Sequence, residues 1–224
     1  MSIKTSKTVH EDDWRNIKKD YTFLKKNKDI SERMALLINF FKRVKPRKML
    51  DIGCGSGYLG YLIKRMDMDR DLIIKGFDIS EYAISQITSY DKTYLLDIDK
   101  KDIPEESDYF DMVVCGEVLE HIYDVDHCLD EIKRVLKPGG KAIITTPNFS
   151  YWKYRIVCLF GGIPSITKDP RHIRNFNHNF LFSKCSGKDF DVTYSVREKK
   201  DPLTKILGII FSKMVVLTLT KREK

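Results

Sequence analysis

Short apolar runs alternate with amphipathic stretches along the central part of the chain. The runs are long enough for buried strands and lie at 47–52, 72–79, 93–96, 110–115 and 141–146. Strands that are apolar on both faces, with helices between them, predict a parallel sheet covered on both sides. Right-handed crossovers make such a sheet doubly wound, with its ligand beyond the carboxyl ends of the strands.

Two more apolar runs follow, at 190–197 and 214–220, and a short link joins them. We therefore predict an α/β, doubly wound, Rossmann-like fold whose seven-stranded sheet is mostly parallel, with an antiparallel C-terminal strand. The chain is expected to form one domain. It divides into an N-terminal helical cap at 1–45, a cofactor-binding core at 46–147, and a lid segment with the last strands at 148–224.

The N-terminal cap is predicted to contain two helices. The first covers 11–28, where apolar residues recur every three or four positions. The second follows Ser31, a favourable N-cap, and ends before Pro46. Its apolar face comprises Met34, Leu37, Ile38 and Phe41. Both helices are expected to cover the ligand cleft.

The stretch 148–179 is rich in aromatic and basic residues and is too long for a simple crossover, so it is expected to be a lid or substrate element. For Lys153 and Arg155 we expect a packed helix whose basic side chains extend to solvent. For His172 and Arg174 we favour a role in an acceptor pocket. Trp152 and the 206–211 helix are expected to pack in the core, with peripheral membrane contact as the alternative.

The overall charge excludes few classes of function. The 224 residues have a formal net charge of +8, without a dense Arg/Lys run, so a solvated basic surface is favoured over a nucleic-acid site. Five scattered cysteines without a CxxC pair are expected to be reduced thiols. The polar N-terminus and the lack of a long apolar stretch predict a cytoplasmic protein without a transmembrane segment. The sequence pattern predicts no particular oligomeric state.

The stretch at 49–57, MLDIGCGSG, predicts a strand, a tight turn and a helix N-terminus. Gly55, Gly57 and Gly60 also fit the G-x-G-x-x-G pattern of dinucleotide enzymes, with Asp78 about 20 residues further on. Spacing alone leaves both kinds of nucleotide ligand open.

Charge separates these alternatives. The strand ends on this side of the sheet carry Asp51, Asp78, Asp97 and Glu117, and the glycine turn has no Lys or Arg. A pyrophosphate would meet an acid just before the turn. A ligand with positive charge and sugar hydroxyls suits an acidic cleft, and S-adenosylmethionine has an ammonium, a sulfonium and a ribose diol.

The residues resemble those of class I S-adenosylmethionine-dependent methyltransferases, particularly small-molecule enzymes of the ubiquinone-pathway and methionine-biosynthesis-associated types. The similarity rests on six motifs in the family's order, at 49–57, 76–80, 96–99, 110–115, 117–121 and 135–140. It implies an enzyme that transfers a methyl group from S-adenosylmethionine to a small-molecule, sugar or lipid-intermediate acceptor, with O-methylation favoured.

The resemblance also implies cofactor-binding roles. Asp51 would hold the methionyl amino group, and Asp78, followed by Ile79, would accept both ribose hydroxyls. Asp97 and the Ile98 amide would contact the adenine edge. The remaining implied cofactor residues are Gly53, Gly55 and Gly57 along the turn, and Gly116 and Glu117 near the sulfonium. Asp97 and Asp99 can alternatively be turn residues.

His121 is the candidate general base, with Glu117 beside it, and a packing or capping role for His121 is the alternative. Glu117, Glu120 and His121 would share one face of a helical turn. This E-x-x-E-H pattern resembles a divalent-ion site of some methyltransferases, to which His172 or His178 would add a ligand. We favour a site without metal.

Three other functions remain open. A nucleic-acid or protein methyltransferase fits the basic, aromatic segment but lacks an appended RNA-binding module and an Asn/Asp-Pro-Pro-Tyr/Phe stretch after the fourth strand. A cofactor-binding partner without activity is disfavoured by the intact turn and strand-end acids. A nicotinamide dehydrogenase is disfavoured by charge.

Overall fold

The computed structural model describes residues 11–12, 31–66, 71–194 and 210–223. The predicted first helix lies outside these residues, apart from Glu11 and Asp12, which are helical. Most of the predicted 206–211 helix also lies outside them.

Seven strands form one sheet. They are β1 (Lys48–Ile52), β2 (Ile73–Asp78), β3 (Lys92–Leu95), β4 (Phe110–Gly116), β5 (Leu136–Pro147), β6 (Phe190–Tyr194) and β7 (Met214–Lys221). Their order is β3-β2-β1-β4-β5-β7-β6, and β7 alone runs in the direction opposite to the other six strands. The predicted fold is confirmed. Strand order reverses between β1 and β4, which places a ligand crevice at their carboxyl ends.

Six α-helices lie entirely within the described residues and accompany the sheet. They are α1 (Glu32–Val44), α2 (Tyr58–Met66), α3 (Glu81–Ser85), α4 (Val125–Val135), α5 (Trp152–Leu159) and α6 (His178–Ser186). Short 3₁₀ helices lie at Leu119–His121 and Ser165–Lys168. Ser31 and Ser80 cap α1 and α3 as predicted, each accepting a backbone N–H three residues on.

The core has one apolar cluster on each face of the sheet. On one face α1 and α2 pack on β1 through residues that include Leu37, Phe41 and Ile63, so the predicted apolar face of α1 is confirmed. On the other face α4 packs through Leu129 and Ile132. Full burial of one such side chain contributes about 1.5–3 kcal/mol, which explains why these faces determine how the helices dock.

The structure moves one boundary of the predicted pattern. The Pro-Gly-Gly sequence at 138–140 lies inside β5, which begins at Leu136 instead of at the predicted 141. Pairing with β4 shifts register between Phe110 and Met112, and Gly139 has a φ of +72°. A bulge therefore absorbs the Pro-Gly-Gly sequence and lets the strand start directly after α4.

The prediction of a packed helix around Lys153 and Arg155 is wrong. No residue of α5 is buried, so the helix has no packed face from which the basic side chains could extend. Trp152 is half-buried, with its ring 5.8 Å from that of Phe211. No helix among the described residues is long and apolar enough to cross a membrane.

His178, at the start of α6, is a polar residue buried in the core. Among the described residues neither ring nitrogen has a hydrogen-bond partner, and burial lowers the pKa of the imidazole to about 4. The folded state therefore keeps His178 neutral at pH values where an unfolded chain, with a pKa of about 6.5, protonates it.

We expect replacement of His178 by Phe to reduce the acid sensitivity of folding. Stability linked to His178 is complete above pH 6.5 and is lost as the pH falls toward 4, since the unfolded state then binds more protons. Thermal unfolding followed by circular dichroism between pH 7.5 and 4.5 measures the effect. The melting temperature of His178→Phe minus that of wild type should increase as the pH falls. Parallel curves for wild type, His178→Phe and the control His127→Gln would contradict the assignment.

Candidate functional site

A cavity of about 580 Å³ opens at the carboxyl ends of β1, β2 and β4. It lies where the strand order reverses, as predicted. One half is lined by the glycine turn and the acids that follow β2 and β3, and the other half by residues that follow β4 together with Arg171 and His172. From α1, Arg33, Met34 and Leu37 complete the wall, so the second N-terminal helix does cover the cleft.

The glycine turn depends on left-handed backbone at Gly53 and Gly57, with φ of +66° and +75°. A Cβ at Gly53 would lie 2.4 Å from Val118 Cγ2, so a side chain would strain the backbone and collide with the loop after β4. Gly57 does not line the cavity; a Cβ there would meet Ile87 at 3.0 Å. Its role is to let the turn approach the segment that follows α3.

Asp78 connects two segments in the half of the cavity that contains the glycine turn. One carboxylate oxygen accepts the N–H of Gly55 and the other accepts the N–H of Ser80, both at 2.9 Å. The side chain is almost fully buried and lines the cavity with Ile79. Asp78 therefore orients both the turn after β1 and the start of α3.

Asp51 is buried at the end of β1 and accepts a hydrogen bond of 2.5 Å from the Tyr90 hydroxyl. Burial raises the pKa of the Asp51 carboxyl to about 7, and the Tyr90 hydrogen bond opposes that rise. Sequence reasoning missed Tyr90. The sequence feature that could have indicated Tyr90 is the pair of glycines, Gly60 and Gly76, which leave room for its ring.

Asp97, Ile98 and Asp99 follow β3 and line the cavity. Asp97 also pairs with the exposed Lys100 at 2.7 Å and accepts the Asp99 N–H. The Asp99 carboxylate accepts the backbone N–H groups of Tyr123 and Asp124. Asp99 is thus a turn residue that connects two loops, whereas Asp97 combines a turn contact with a place on the cavity wall.

The other half of the cavity contains a cluster of Glu117, Glu120, His121 and His172, which we call the acid–histidine cluster. Ligand atoms of Glu120, His121 and His172 lie within 4.8 Å of one another. The pKa of Glu117 is raised by burial, and the pKa of Glu120 is raised to about 8 by burial and then by the charge of Glu117. Glu120 Oε2 accepts from Thr146, whereas Oε1 is buried without a hydrogen-bond partner among the described residues and lies 4.0 Å from His121 Nε2.

Backbone carbonyls determine the tautomers of both histidines in this cluster. His121 Nδ1 lies 3.1 Å from the Arg171 carbonyl, and His172 Nδ1 lies 3.0 Å from the Ile166 carbonyl. A carbonyl only accepts, so each Nδ1 carries a proton, and in the neutral imidazole Nε2 is then the lone-pair nitrogen. His121 Nε2 lies 4.0 Å from Glu120 Oε1, and His172 Nε2 lies 3.8 Å from Asp169 Oδ2. Both imidazoles are therefore oriented as bases or metal ligands.

Arg33 is the second residue that sequence reasoning missed. Its guanidinium, on α1, lowers the pKa of Asp51, Glu117 and Glu120 against the effect of burial. No local pattern distinguishes Arg33 from the other cations of a predicted amphipathic helix. The only other Lys or Arg among the described lining residues is Arg171, which forms a bidentate pair with Asp169.

Two expected acceptor or ligand residues lie elsewhere. Arg174 donates to the backbone carbonyls of Ile122 and Tyr123 and does not line the cavity, so it positions a loop. His178 is in the core and is not part of the acid–histidine cluster. His172 and His121, by contrast, meet with ring centroids 5.0 Å apart.

An acidic cleft at the switch point of a doubly wound sheet defines an enzyme that binds a nucleotide-like cofactor. A family model for a methyltransferase domain matches residues 44–199. Ubiquinone biosynthesis O-methyltransferases of Pseudomonas syringae pv. tomato and Glaesserella parasuis are 32% and 28% identical, each over 71% of both chains. A SAM-dependent methyltransferase structure from Archaeoglobus fulgidus has a TM-score of 0.61 and 20% identity over 90% of this chain and 100% of that one.

This chain belongs to the class I S-adenosylmethionine-dependent methyltransferases. The family expected from the sequence motifs is thereby confirmed, and with it S-adenosylmethionine as the cofactor. The nicotinamide dehydrogenase alternative has no support from these similarities.

We expect Gly60→Ala to destabilise the protein although Ala favours helices. A Cβ at Gly60 would lie 2.0 Å from Tyr90 Cε1, which should displace the tyrosine that donates to Asp51. Overpacking costs about 1–3 kcal/mol, more than the helix-propensity gain of about 1 kcal/mol. Chemical denaturation measures the loss. The control Gly187→Ala, whose Cβ meets only ordinary contacts, should be nearly neutral, and equal behaviour of both variants would refute the clash.

Proposed function

We propose that the protein transfers the methyl group of S-adenosylmethionine to a hydroxyl of a small-molecule acceptor. The observation that supports this most is the acid–histidine cluster, which faces the acidic cofactor half across one cavity. The modest identity to enzymes named as O-methyltransferases points the same way. A cytoplasmic location remains a prediction.

In this proposal the cofactor takes the half of the cavity formed by the turn and the strand-end acids. Asp78 accepts from the ribose hydroxyls, Asp51 receives the methionyl ammonium, and Asp97 with the Ile98 amide contacts the adenine. Arg33 pairs with the methionyl carboxylate, because its charge faces Asp51, where the amino group of the same ligand is expected. Gly116 and Glu117 then lie near the sulfonium.

Methyl transfer is an in-line displacement in which the acceptor oxygen attacks the methyl carbon while the carbon–sulfur bond breaks. The sulfonium becomes a neutral thioether, and the hydroxyl proton must leave. His121 Nε2 is the group that receives this proton, since Nδ1 is already protonated against Arg171. Glu120 is buried and the other three side chains of the cluster are half-buried, which strengthens their electrostatic interactions relative to those in water.

A second way to activate the acceptor is favoured by Glu120 Oε1, which is buried without a hydrogen-bond partner among the described residues and lies 4.0 Å from His121 Nε2. Two imidazole nitrogens and a carboxylate fit a divalent transition metal better than Mg²⁺ or Ca²⁺, and Glu120, His121 and His172 would hold it. Such an ion would act as a Lewis acid that lowers the pKa of the acceptor hydroxyl.

RNA or protein methylation and a non-catalytic partner role are the alternatives. A solved complex of the Haloferax volcanii Trm112 activator with a putative methyltransferase shares the fold, with a TM-score of 0.66 and 16% identity over 99% of this chain. At that identity the similarity concerns the fold alone. It therefore does not favour a partner over a small-molecule acceptor.

We expect Asp78→Asn to weaken S-adenosylhomocysteine binding by more than about tenfold, because the ribose loses a charged acceptor. Calorimetry measures the affinity, and wild type should be stabilised by S-adenosylhomocysteine but not by NAD. Asp91→Asn is the matched control, since Asp91, like Asp78, accepts a backbone N–H. Asp91 pairs with Lys64 and does not line the cavity. Unchanged affinity in Asp78→Asn would show that the ribose lies elsewhere.

Chelation distinguishes the two ways of activating the acceptor. If Glu120, His121 and His172 hold an ion, purified protein should release a stoichiometric metal to EDTA, and His172→Gln should reduce metal content by at least about tenfold. Elemental analysis provides that readout independently of turnover. Activity that survives complete metal removal, with His121→Gln still inactive, would leave His121 as the base and refute the metal.

A further inference from the structure

The described part of the chain concentrates its exposed large apolar side chains in one region. The segment that follows β5 contributes most of them, and the tip of α5 is the most exposed, with Leu159, Phe160 and Ile163 at 79%, 83% and 69%. Phe211 lies beside this region, against Trp152. Exposed apolar residues are normal when scattered, but a contiguous group indicates a contact surface.

The tip has a defined conformation. Gly161 has a φ of +72°, and the N–H of Gly162 donates to the Val157 carbonyl at 2.8 Å, so the chain folds back on α5. This reversal brings Ile163 next to the end of the helix. We call α5 and this turn, residues 152–163, the apolar tip.

The charged residues in the apolar tip and in the few residues on either side of it are cations, and Asp169, the first acid after it, is paired with Arg171. Between 148 and 168 the chain contains Lys153, Arg155 and Lys168 but no Asp or Glu. All three cations are exposed, and Lys153 lies over the Trp152 ring at 5.5 Å. Exposed aliphatic and aromatic side chains with cations beside them complement a surface with anionic headgroups above hydrocarbon.

We propose that the apolar tip docks on an anionic lipid bilayer. Leu159, Phe160 and Ile163 enter the headgroup–acyl boundary, while Lys153, Arg155 and Lys168 contact lipid phosphates. A second copy of the chain is a poorer occupant, because two tips face to face would juxtapose like charges without acids to neutralise them. This inference does not depend on the identity of the methyl acceptor.

Residues on either side of the apolar tip form part of the cavity wall, which connects docking with access to the cavity. Pro147 precedes the apolar tip, and Arg171 and His172 follow it, and all three line the cavity. A docked protein would therefore hold this wall close to the bilayer.

Vesicle flotation with the full chain tests the proposal. We expect binding to vesicles of phosphatidylcholine with roughly one third phosphatidylglycerol, weaker binding to phosphatidylcholine alone, and loss of binding at high salt. Leu159→Glu combined with Phe160→Glu should reduce binding at least about tenfold. So should Lys153→Glu combined with Lys168→Glu.

Matched controls place the same changes outside the tip. Met66→Glu with Tyr123→Glu introduces two acids at other exposed apolar positions, and Lys42→Glu with Lys101→Glu reverses two other exposed lysines. These controls should bind vesicles like wild type, and all variants should keep the wild-type melting temperature. Absence of wild-type binding, equal loss in tip and control variants, or tip-dependent dimerisation by light scattering without vesicle binding would overturn the proposal.

Discussion

One buried carboxylate connects the parts of the cofactor half. Asp78 ends β2, and its two oxygens accept the N–H groups of Gly55 and Ser80. The glycine turn after β1 and the first turn of α3 are thereby positioned by a single side chain. Because both acceptors are nearly inaccessible to water, loss of the carboxylate would leave two buried donors unpaired, at a cost of about 1–3 kcal/mol each.

Burial also shapes the electrostatics of the whole cavity. Asp51, Glu117 and Glu120 all have a raised pKa, chiefly because the protein removes them from water, and Arg33 partly offsets the effect. A cationic ligand stabilises the ionised form of such carboxylates, whereas a pyrophosphate would oppose it. The cavity is therefore suited to a methyl donor with a sulfonium and an ammonium, in agreement with the family to which the chain belongs.

The lid segment has two roles that its sequence does not separate. His172 returns to the cavity, where it meets His121, although the two residues are far apart along the chain. Residues 152–163 project outward, and α5 buries nothing. Both parts are rich in aromatic and basic residues. Composition alone therefore does not predict which part lines the cavity and which part is exposed.

The sequence by itself determined the sheet, the glycine turn and the strand-end acids. These features depend on local periodicity and on the rule that parallel strands place their carboxyl ends at one edge. Only the tertiary structure revealed that Tyr90 donates to Asp51, that Arg33 faces the acids, that Arg174 supports a loop, and that α5 lacks a buried face. Each of these depends on which distant segments meet, or fail to meet. A pattern of neighbouring residues contains no information about that.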